Sequence, residues 1–245
     1  QNMLSQAKER ERYSRNLQLA ETGIQGQEKL LASKVLVVGL GGLGCAAATY
    51  LAGSGVGHLT LLDNDLVELS NLNRQPLHKT DSVNQFKVDS AANSLQELNS
   101  SIQLTKVKLW ANKDWFMQQL NEFDLVLDCT DNSFTRYDLN SAALQHKIPW
   151  VSAAALGFEG QLTVFDPRLA TSPCYRCLYP EINNPFANSC EKKGVFSPLV
   201  GVLGSLQAAE AVKLLLGKKS NLVGQLLTYN ALASRFNYWK LPKSC

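Results

Sequence analysis

The sequence has few of the features that define disulfide-rich, membrane-spanning or nucleic-acid-binding proteins. Its 245 residues include six cysteines, too few for a disulfide scaffold, and the net charge of +3 is too small to indicate a nucleic-acid partner. We find no apolar run near the ~20 residues that span a membrane, and the N-terminal stretch has no apolar signal segment. We therefore expect a cytoplasmic protein with reduced cysteines that binds neither nucleic acid nor membrane.

Two common catalytic signatures are also absent. The sequence contains no G-x-x-x-x-G-K-[ST] motif, which excludes a Walker-type phosphate loop. Its three histidines, His58, His78 and His146, are scattered, and none has a sequence neighbour that suggests proton transfer. We therefore expect no catalytic histidine.

Short apolar runs alternate with helix-forming stretches through the first two thirds of the chain. Buried strands are predicted at 34–39, 58–63, 104–109, 124–131 and 149–155. Alternation of strands with helices is typical of βαβ units in a parallel sheet. The sequence thus predicts an α/β fold with a Rossmann-like, doubly wound, mainly parallel sheet, preceded by one or two N-terminal helices.

The pattern changes after residue 156. Four elements are predicted there: an alternating strand at 157–166, a long helix at 198–217, and short strands at 225–230 and 236–241. We predict one domain over 1–245. A nucleotide-binding half at 4–156 is continued by an extension at 157–245, whose antiparallel strands extend the same sheet.

A glycine-rich loop, G-L-G-G-L-G at 39–44, lies between the first predicted strand and its helix. Its glycines let the backbone approach a phosphate group, which a helix N-terminus attracts. Asp63 ends the next strand, where an acid can bind ribose hydroxyls. Together they predict a nucleotide site but do not choose between NAD and ATP.

Polar and cationic residues follow the strand that ends at Asp63. Asn71, Arg74 and Gln75 lie in L-S-N-L-N-R-Q, and Lys87 comes shortly after. Hydride transfer has no use for such a cluster because the cofactor carries that chemistry. Attack on a triphosphate needs cations that stabilise the developing charge. The cluster favours ATP, and an NAD-dependent dehydrogenase stays as an alternative.

Two acids, Asp128 and Asp131, end the fourth predicted strand at the edge where open α/β sheets bind ligands. Facing a nucleotide's phosphates, a carboxylate is most useful as a Mg²⁺ ligand. The alternative is that Asp131 caps the helix beginning at Asn132, and both roles are compatible.

Seven motifs in order resemble the ubiquitin-activating-enzyme superfamily in its bacterial form, the MoeB/ThiF adenylyltransferases. They are R-Y-S-R-N (12–16), G-L-G-G-L-G (39–44), L-L-D-N-D-L-V-E-L-S-N-L-N-R-Q (61–75), Lys87, D-C-T-D-N (128–132), C-Y-R-C-L (174–178) and G-V-L-G-S-L-Q-A-A-E-A (201–211). The resemblance covers nearly the whole chain. It implies ATP-dependent adenylation of the Gly-Gly carboxylate that ends a ubiquitin-like sulfur carrier.

The resemblance also implies residue roles. The catalytic residues would be Arg15, Arg74, Lys87 and Asp131, and Cys190 would be the candidate for a covalent role. The nucleotide-binding residues would be Gly39, Gly41, Gly42, Gly44, Asp63, Asp65, Ser70, Asn71, Leu72, Asn73, Arg74, Gln75, Lys87, Asp131 and Asn132. Asp131 would place Mg²⁺, and Arg15 would reach the ATP site of the partner in a homodimer.

Cys174 and Cys177 have the two-residue spacing found in half of a four-cysteine zinc site. From the residues alone, the motif could equally be a redox pair or two buried thiols. The resemblance implies structural zinc held by this pair and a second pair near the C-terminus. Cys245 would be the third ligand and the fourth would follow the last residue given. We expect zinc to bind weakly or not at all to this length of chain.

The remaining cysteines have other predicted environments. Cys45 and Cys129 fall in a predicted helix and strand and are expected in the core. Cys190 matches a loop cysteine that in some relatives joins the carrier or relays sulfur. Lys192 and Lys193 could lower its thiol pKa, and an incidental loop cysteine is the alternative.

Sequence details divide between two branches of the family. G-C-A-A-A resembles the branch that activates the small subunit of molybdopterin synthase, and Y-P-E-I-N-N-P the branch that activates the thiamine sulfur carrier. We favour the first, in molybdenum cofactor biosynthesis, with sulfur supplied by another protein. A carrier-binding scaffold without catalysis is disfavoured because Arg74, Lys87 and Asp131 are all present.

Overall fold

A computed structural model describes residues 4, 6–180 and 194–243. The strands are β1 (Lys34–Val38), β2 (His58–Leu62), β3 (Gln103–Val107), β4 (Leu125–Asp128), β5 (Trp150–Leu156), β6 (Glu159–Phe165), β7 (Gln225–Asn230) and β8 (Arg235–Lys240). The helices are α1 (Ala7–Arg12), α2 (Ser14–Leu17), α3 (Gly23–Ala32), α4 (Gly42–Gly53), α5 (Lys87–Leu98), α6 (Lys113–Gln119), α7 (Ser133–His146), α8 (Tyr175–Leu178) and α9 (Ser197–Leu215). Short 3₁₀ turns occupy Leu69–Asn71, Thr80–Ser82 and Leu120–Glu122.

All eight strands form one sheet in the order β3-β2-β1-β4-β5-β6-β7-β8. The first five of these are parallel, and β6, β7 and β8 continue the sheet with antiparallel pairing. The predicted doubly wound, mainly parallel sheet with antiparallel strands is confirmed. The chain reverses its winding between β1 and β4, and open α/β sheets bind ligands at such a switch point.

Both faces of the central strands are covered. Val35 and Val37 of β1 face a core that α4, α5 and α9 complete, whereas Leu36 and Val38 face a second core beneath α6 and α7. Strands buried on both faces read as continuous apolar runs, which is why β1 and β4 were recognisable in the sequence.

The number of N-terminal helices and the hydropathy of α9 differ from what was expected. Residues 7–32 form three short helices where one or two were predicted. Helix α9 has, by length and composition, the character of a membrane span, and is the one such helix in the described part of the chain. The expectation that no stretch is that apolar was wrong. The buried side of α9 packs on α4, β5 and β6.

The contact between α4 and α9 is close because a glycine lies in it. A Cβ atom at Gly204 would lie 2.4 Å from the carbonyl oxygen of Leu43 and 2.8 Å from the Cβ of Ala46. At the start of the same helix, Val200 packs against Gly42, the first residue of α4. The crossing therefore holds the first turn of α9 beside the glycine-rich loop.

We expect Gly204→Ala to lower the free energy of unfolding by about 1–3 kcal/mol, because the methyl group would force α9 away from α4. Gly201→Ala, one turn earlier in α9, is the matched control. Nothing lies within 4 Å of a Cβ there, so alanine should be neutral or stabilise the helix by up to about 1 kcal/mol. Urea unfolding of both variants measures this, and equal effects would contradict the packing argument.

Candidate active site

The glycine-rich loop lies at the carboxyl edge of the sheet and can be formed only with glycine at two positions. Gly39 has a φ of 91° and contacts the backbone of Cys129, which follows β4. A Cβ at Gly44 would lie 1.9 Å from the carbonyl oxygen of Gly39. The loop is thus folded tightly against its own helix and against the end of β4.

Asp63, which follows β2, fastens this loop from the side. One carboxylate oxygen accepts a hydrogen bond from the backbone N–H of Leu40 at 2.7 Å, and the other accepts from the N–H of Asp65 at 2.8 Å. Burial raises the pKa of Asp63, and the two N–H donors oppose that rise. Each carboxylate oxygen of Asp63, the residue predicted to bind the ribose hydroxyls, therefore already accepts one backbone hydrogen bond.

Lys87 begins α5 and lies beside Asp63. Its ammonium group is buried and makes a 3.0 Å ion pair with Asp65, whose own side chain is mostly exposed. The positive charge of Lys87 also opposes the rise that burial causes in the pKa of Asp63. The predicted cation therefore lies at the edge of the sheet where the glycine-rich loop begins.

The segment 69–75 is shaped by internal caps. Asn71 is buried and accepts a hydrogen bond from the N–H of Glu68 at 2.9 Å, which closes a capping box. The Arg74 guanidinium donates to the carbonyl oxygen of Ser70 at 3.0 Å and to the side chain of Asn73 at 3.1 Å. These contacts hold Arg74 close to the backbone of its own turn.

The far end of this segment adjoins the glycine-rich loop and α9. A Cβ at Gly42 would lie 3.3 Å from the carbonyl oxygen of Arg74, and one at Gly41 would lie 3.5 Å from the Gln75 amide nitrogen. Gln75 is buried, and its Oε1 has no hydrogen-bond partner among the described residues. The same segment also contacts α9.

Ser197, at the start of α9, donates a hydrogen bond to the carbonyl oxygen of Asn73. Leu72, which precedes Asn73, is half-buried.

Asp128 is fully buried and is not a free ligand. Its carboxylate accepts hydrogen bonds from Arg136 Nε at 2.8 Å, Ser152 Oγ at 2.7 Å and Thr130 Oγ at 2.6 Å. Arg136 also donates to the carbonyl oxygens of Thr130 and Ala153. Burial alone lowers the pKa of Arg136, but the facing Asp128 raises it above its usual value, so the guanidinium stays charged.

Asp131 is exposed on the turn that this ion pair shapes. The helix that follows is capped by Asn132, whose Oδ1 accepts from the N–H of Thr135 at 2.8 Å. The interpretation in which Asp131 caps the helix is therefore wrong. Arg136 was missed because an isolated arginine in a helix carries no sequence signal.

Arg15 lies far from the other predicted residues of its own chain. It is exposed on α2, whose neighbour Asn16 donates to the carbonyl oxygen of Ser54 at 3.3 Å. Ser54 follows α4, and the glycine-rich loop precedes it. Since a 12-residue helix is about 18 Å long, Arg15 belongs to the opposite edge of the sheet.

The C-Y-R-C motif forms the short helix α8 and the residue before it. Cys174 and Cys177 are buried, and their sulfur atoms are 3.8 Å apart. In the part of the chain that the structure describes, no group of three or more His, Cys, Asp or Glu could hold a metal ion. Cys190 and Cys245, with Lys192 and Lys193, lie outside the described residues.

Two further cysteines and a histidine lie in the core. Cys45 and Cys129 are buried, as predicted, and burial raises the pKa of the Cys45 thiol to about 12. His78 is buried as well, with Nδ1 2.9 Å from Ser90 Oγ and Nε2 2.9 Å from the carbonyl oxygen of Leu40. The sequence analysis missed these partners because Leu40 is 38 residues away along the chain.

Comparison with known proteins identifies relatives of this arrangement. A profile described as the ThiF family matches residues 13–245. Molybdopterin-synthase adenylyltransferase of Escherichia coli is 46% identical over 95% of this chain and 93% of the relative, and the sulfur carrier protein ThiS adenylyltransferase of the same organism is 44% identical over 95% and 92%.

Longer relatives and solved structures also match. Adenylyltransferase and sulfurtransferase MOCS3 of Culex quinquefasciatus is 48% identical over 94% of this chain, and the chain spans 52% of that relative. The crystal structure of E. coli MccB with AMPCPP and selenomethionine MccA is 25% identical, with a TM-score of 0.84 over 95% of this chain and 72% of that one.

We expect Asp128→Asn to lower the free energy of unfolding by about 3 kcal/mol, because it leaves the Arg136 charge buried without its counter-ion. The control is Glu97→Gln, which breaks an exposed ion pair with Lys79 and should cost less than about 1 kcal/mol. Urea unfolding at neutral pH measures both. A loss at Asp128 no larger than the control would contradict the role of the pair.

Proposed function

The chain belongs to the ThiF family, and we propose that it adenylates the C-terminal Gly-Gly carboxylate of a ubiquitin-like sulfur carrier. The observation that carries the proposal is the glycine-rich loop at the switch point of the sheet. Asp63 holds the loop on one side, next to the ion pair of Asp65 with Lys87, and on the other side the loop packs against the segment that leads from β4 to the exposed Asp131. The matching relatives are named adenylyltransferases, which supports ATP as the nucleotide.

The reaction joins two anions, so charge neutralisation is the main requirement. The carrier carboxylate attacks the α-phosphorus of ATP, the bond from that phosphorus to the bridging oxygen breaks, and pyrophosphate leaves with the electron pair. No general base is needed because the carboxylate is already ionised near pH 7. Lys87 and Arg74 would stabilise the charge that develops on the phosphates.

The glycine-rich loop and the first turn of α4 would hold the phosphates by backbone N–H groups. Asp63 and Asp65 would bind the ribose, and Asn71 would reach the phosphates from its capped turn. Alignment of two bound reactants can supply up to ~7–11 kcal/mol of the lowered barrier. Binding and orientation thus account for most of what the protein contributes.

A Mg²⁺ ion would be held by Asp131. Its carboxylate is exposed at the carboxyl edge and is not used as a helix cap, and oxygen ligands suit Mg²⁺. When bound, the ion would neutralise charge on the triphosphate. Asp128 is excluded as a second ligand because its carboxylate is buried and paired with Arg136.

In their reduced form, Cys174 and Cys177 would fit one edge of a structural zinc site. Sulfur atoms at ~2.3 Å from a tetrahedral zinc are ~3.8 Å apart, which matches the observed 3.8 Å between their sulfur atoms. Cys245 would supply a third thiolate. These are three of the four thiolates of a closed structural site, so we propose that zinc, where a fourth ligand completes the site, stabilises the extension and takes no part in catalysis.

The active protein would be a cytoplasmic homodimer. Arg15 lies at the edge of the sheet opposite its own site, so it can complete an ATP site only in a second copy of the chain. A symmetric dimer would then contain two sites, each with an arginine from the partner.

The small subunit of molybdopterin synthase is our first candidate for the carrier, in molybdenum cofactor biosynthesis. The thiamine sulfur carrier is the alternative. The identities to the two kinds of E. coli relative are 46% and 44%, too close to separate them. The dehydrogenase reading has no support from the relatives, and Cys190 is proposed for no step in adenylation.

ATP–pyrophosphate exchange tests the function directly. We expect exchange only when a Gly-Gly-ended carrier is present, and the two candidate carriers assayed side by side identify the substrate. Asp131→Ala should reduce exchange at least ~100-fold by loss of the metal ligand, whereas Asp138→Ala, further along α7, should not. Exchange without a carrier, reduction of NAD, or near-normal Asp131→Ala activity would contradict the proposal.

Mixing of two inactive variants tests the dimer. Arg15→Ala and Asp131→Ala should each be inactive alone. After subunit exchange at equal amounts, about a quarter of the wild-type activity should return, because half of the dimers are mixed and each contains one complete site. An absence of recovery, with mixed dimers detected by mass spectrometry, would show that Arg15 acts in its own chain, and an active Arg15→Ala variant alone would show that it does not act in catalysis.

A further inference from the structure

We infer that His78 is a positioning residue that fixes the glycine-rich loop for ATP, with its imidazole neutral. The inference rests on the proposed function and extends it to a residue that does not contact the nucleotide. Its basis is the hydrogen bond from the imidazole to the carbonyl oxygen of Leu40.

Leu40 lies inside the loop and is held through both of its backbone groups. Its N–H donates to the carboxylate of Asp63 at 2.7 Å, and its carbonyl oxygen lies 2.9 Å from Nε2 of His78. The two anchors come from different segments, the end of β2 and the turn before α5. They fix the rotation of the peptide units on either side of Leu40, and hence the direction of the neighbouring N–H groups.

The contacts of His78 determine its tautomer. A carbonyl oxygen can only accept, so Nε2 carries the proton that it donates to Leu40, and Nδ1 accepts from the hydroxyl of Ser90 at 2.9 Å. Burial lowers the pKa of His78, which keeps the ring neutral at pH 7. The charged groups acting on it are Lys87, which favours the neutral form, and Asp63, which opposes it.

The surroundings give the loop little freedom to compensate. Gly39 O contacts Gly44 so closely that a Cβ there would lie at 1.9 Å. Cys45 Sγ lies 3.4 Å from the same Leu40 oxygen, but a thiol is a weak donor. Without the imidazole, the buried carbonyl would lose its strong donor, and the loop would shift towards arrangements that present fewer N–H groups to a phosphate.

Two substitutions separate the two ring nitrogens. His78→Gln places an amide N–H near the position of Nε2 and keeps a donor for Leu40, whereas His78→Asn keeps a polar group facing Ser90 but has no atom at the Nε2 position. His78→Met fills the volume with no donor, and replaces His78→Asn if that variant does not fold. Ser94→Ala is the matched control, since Ser94 on α5 donates to Leu77 in the same turn but does not touch the loop.

Calorimetric titration of the full chain with Mg²⁺-ATP is the test. We expect His78→Asn and His78→Met to weaken ATP binding about tenfold or more, from loss of one buried hydrogen bond. His78→Gln should stay within about threefold of wild type, and Ser94→Ala should not differ from it. In the exchange assay, the KM for ATP should rise while kcat changes little, a split that a general loss of stability would not produce.

Three results would overturn the inference. If wild type binds ATP and the Gln, Asn and Met variants lose affinity equally, His78 acts only by packing, and the inference fails while the proposed function stands. If wild type binds no ATP, both fail. Hydrogen–deuterium exchange of the peptide covering 39–44, without nucleotide, should be faster in the Asn and Met variants alone, and unchanged exchange would likewise contradict the role.

Discussion

The rest of the structure depends on the ion pair and hydrogen bonds made by the buried carboxylate of Asp128. Asp128 ends β4 at the switch point, and it binds Arg136 of α7 and Ser152 of β5 through its side chain. Its carbonyl oxygen accepts from Gln207 of α9, which also donates to Val151. An unpaired charge at this depth would be strongly destabilising. The side chain and carbonyl oxygen of this one residue therefore bond strands and helices from both portions of the chain.

The glycine-rich loop takes its position from the same place. Gly39 packs on the backbone that follows Asp128, and Asp63 and His78 hold the next residue from β2 and from the turn before α5. The close crossing of α4 and α9 places Val200 of α9 against Gly42 of the loop. Because each of these contacts comes from a different element, the site forms only once the sheet is complete. Of the acids beside it, Asp128 is buried and paired with Arg136, whereas Asp131 is exposed.

Much of the fold was predictable because its signals are local. The apolar runs of β1, β2, β4 and β5, the glycines of the loop and the long apolar α9 were recognised close to their observed limits. Gly217, the last residue of the predicted helix, follows α9 with a φ of 75°, the left-handed conformation in which helices commonly end. The polar cluster was predicted from its order along the chain, and the structure brings the loop, Asp63 and Lys87 together.

The sequence by itself determined the fold class, the family resemblance and the chemical types present at the carboxyl edge, because strand and helix periodicity and motif order are properties of neighbouring residues. Only the tertiary structure decided what each polar group does. It assigned Asp128 to a buried ion pair, Asn132 to the helix cap, His78 to the loop and Arg15 to the opposite edge. These assignments depend on which residues, tens of positions apart, lose their water together when the layers pack, and no local pattern records that.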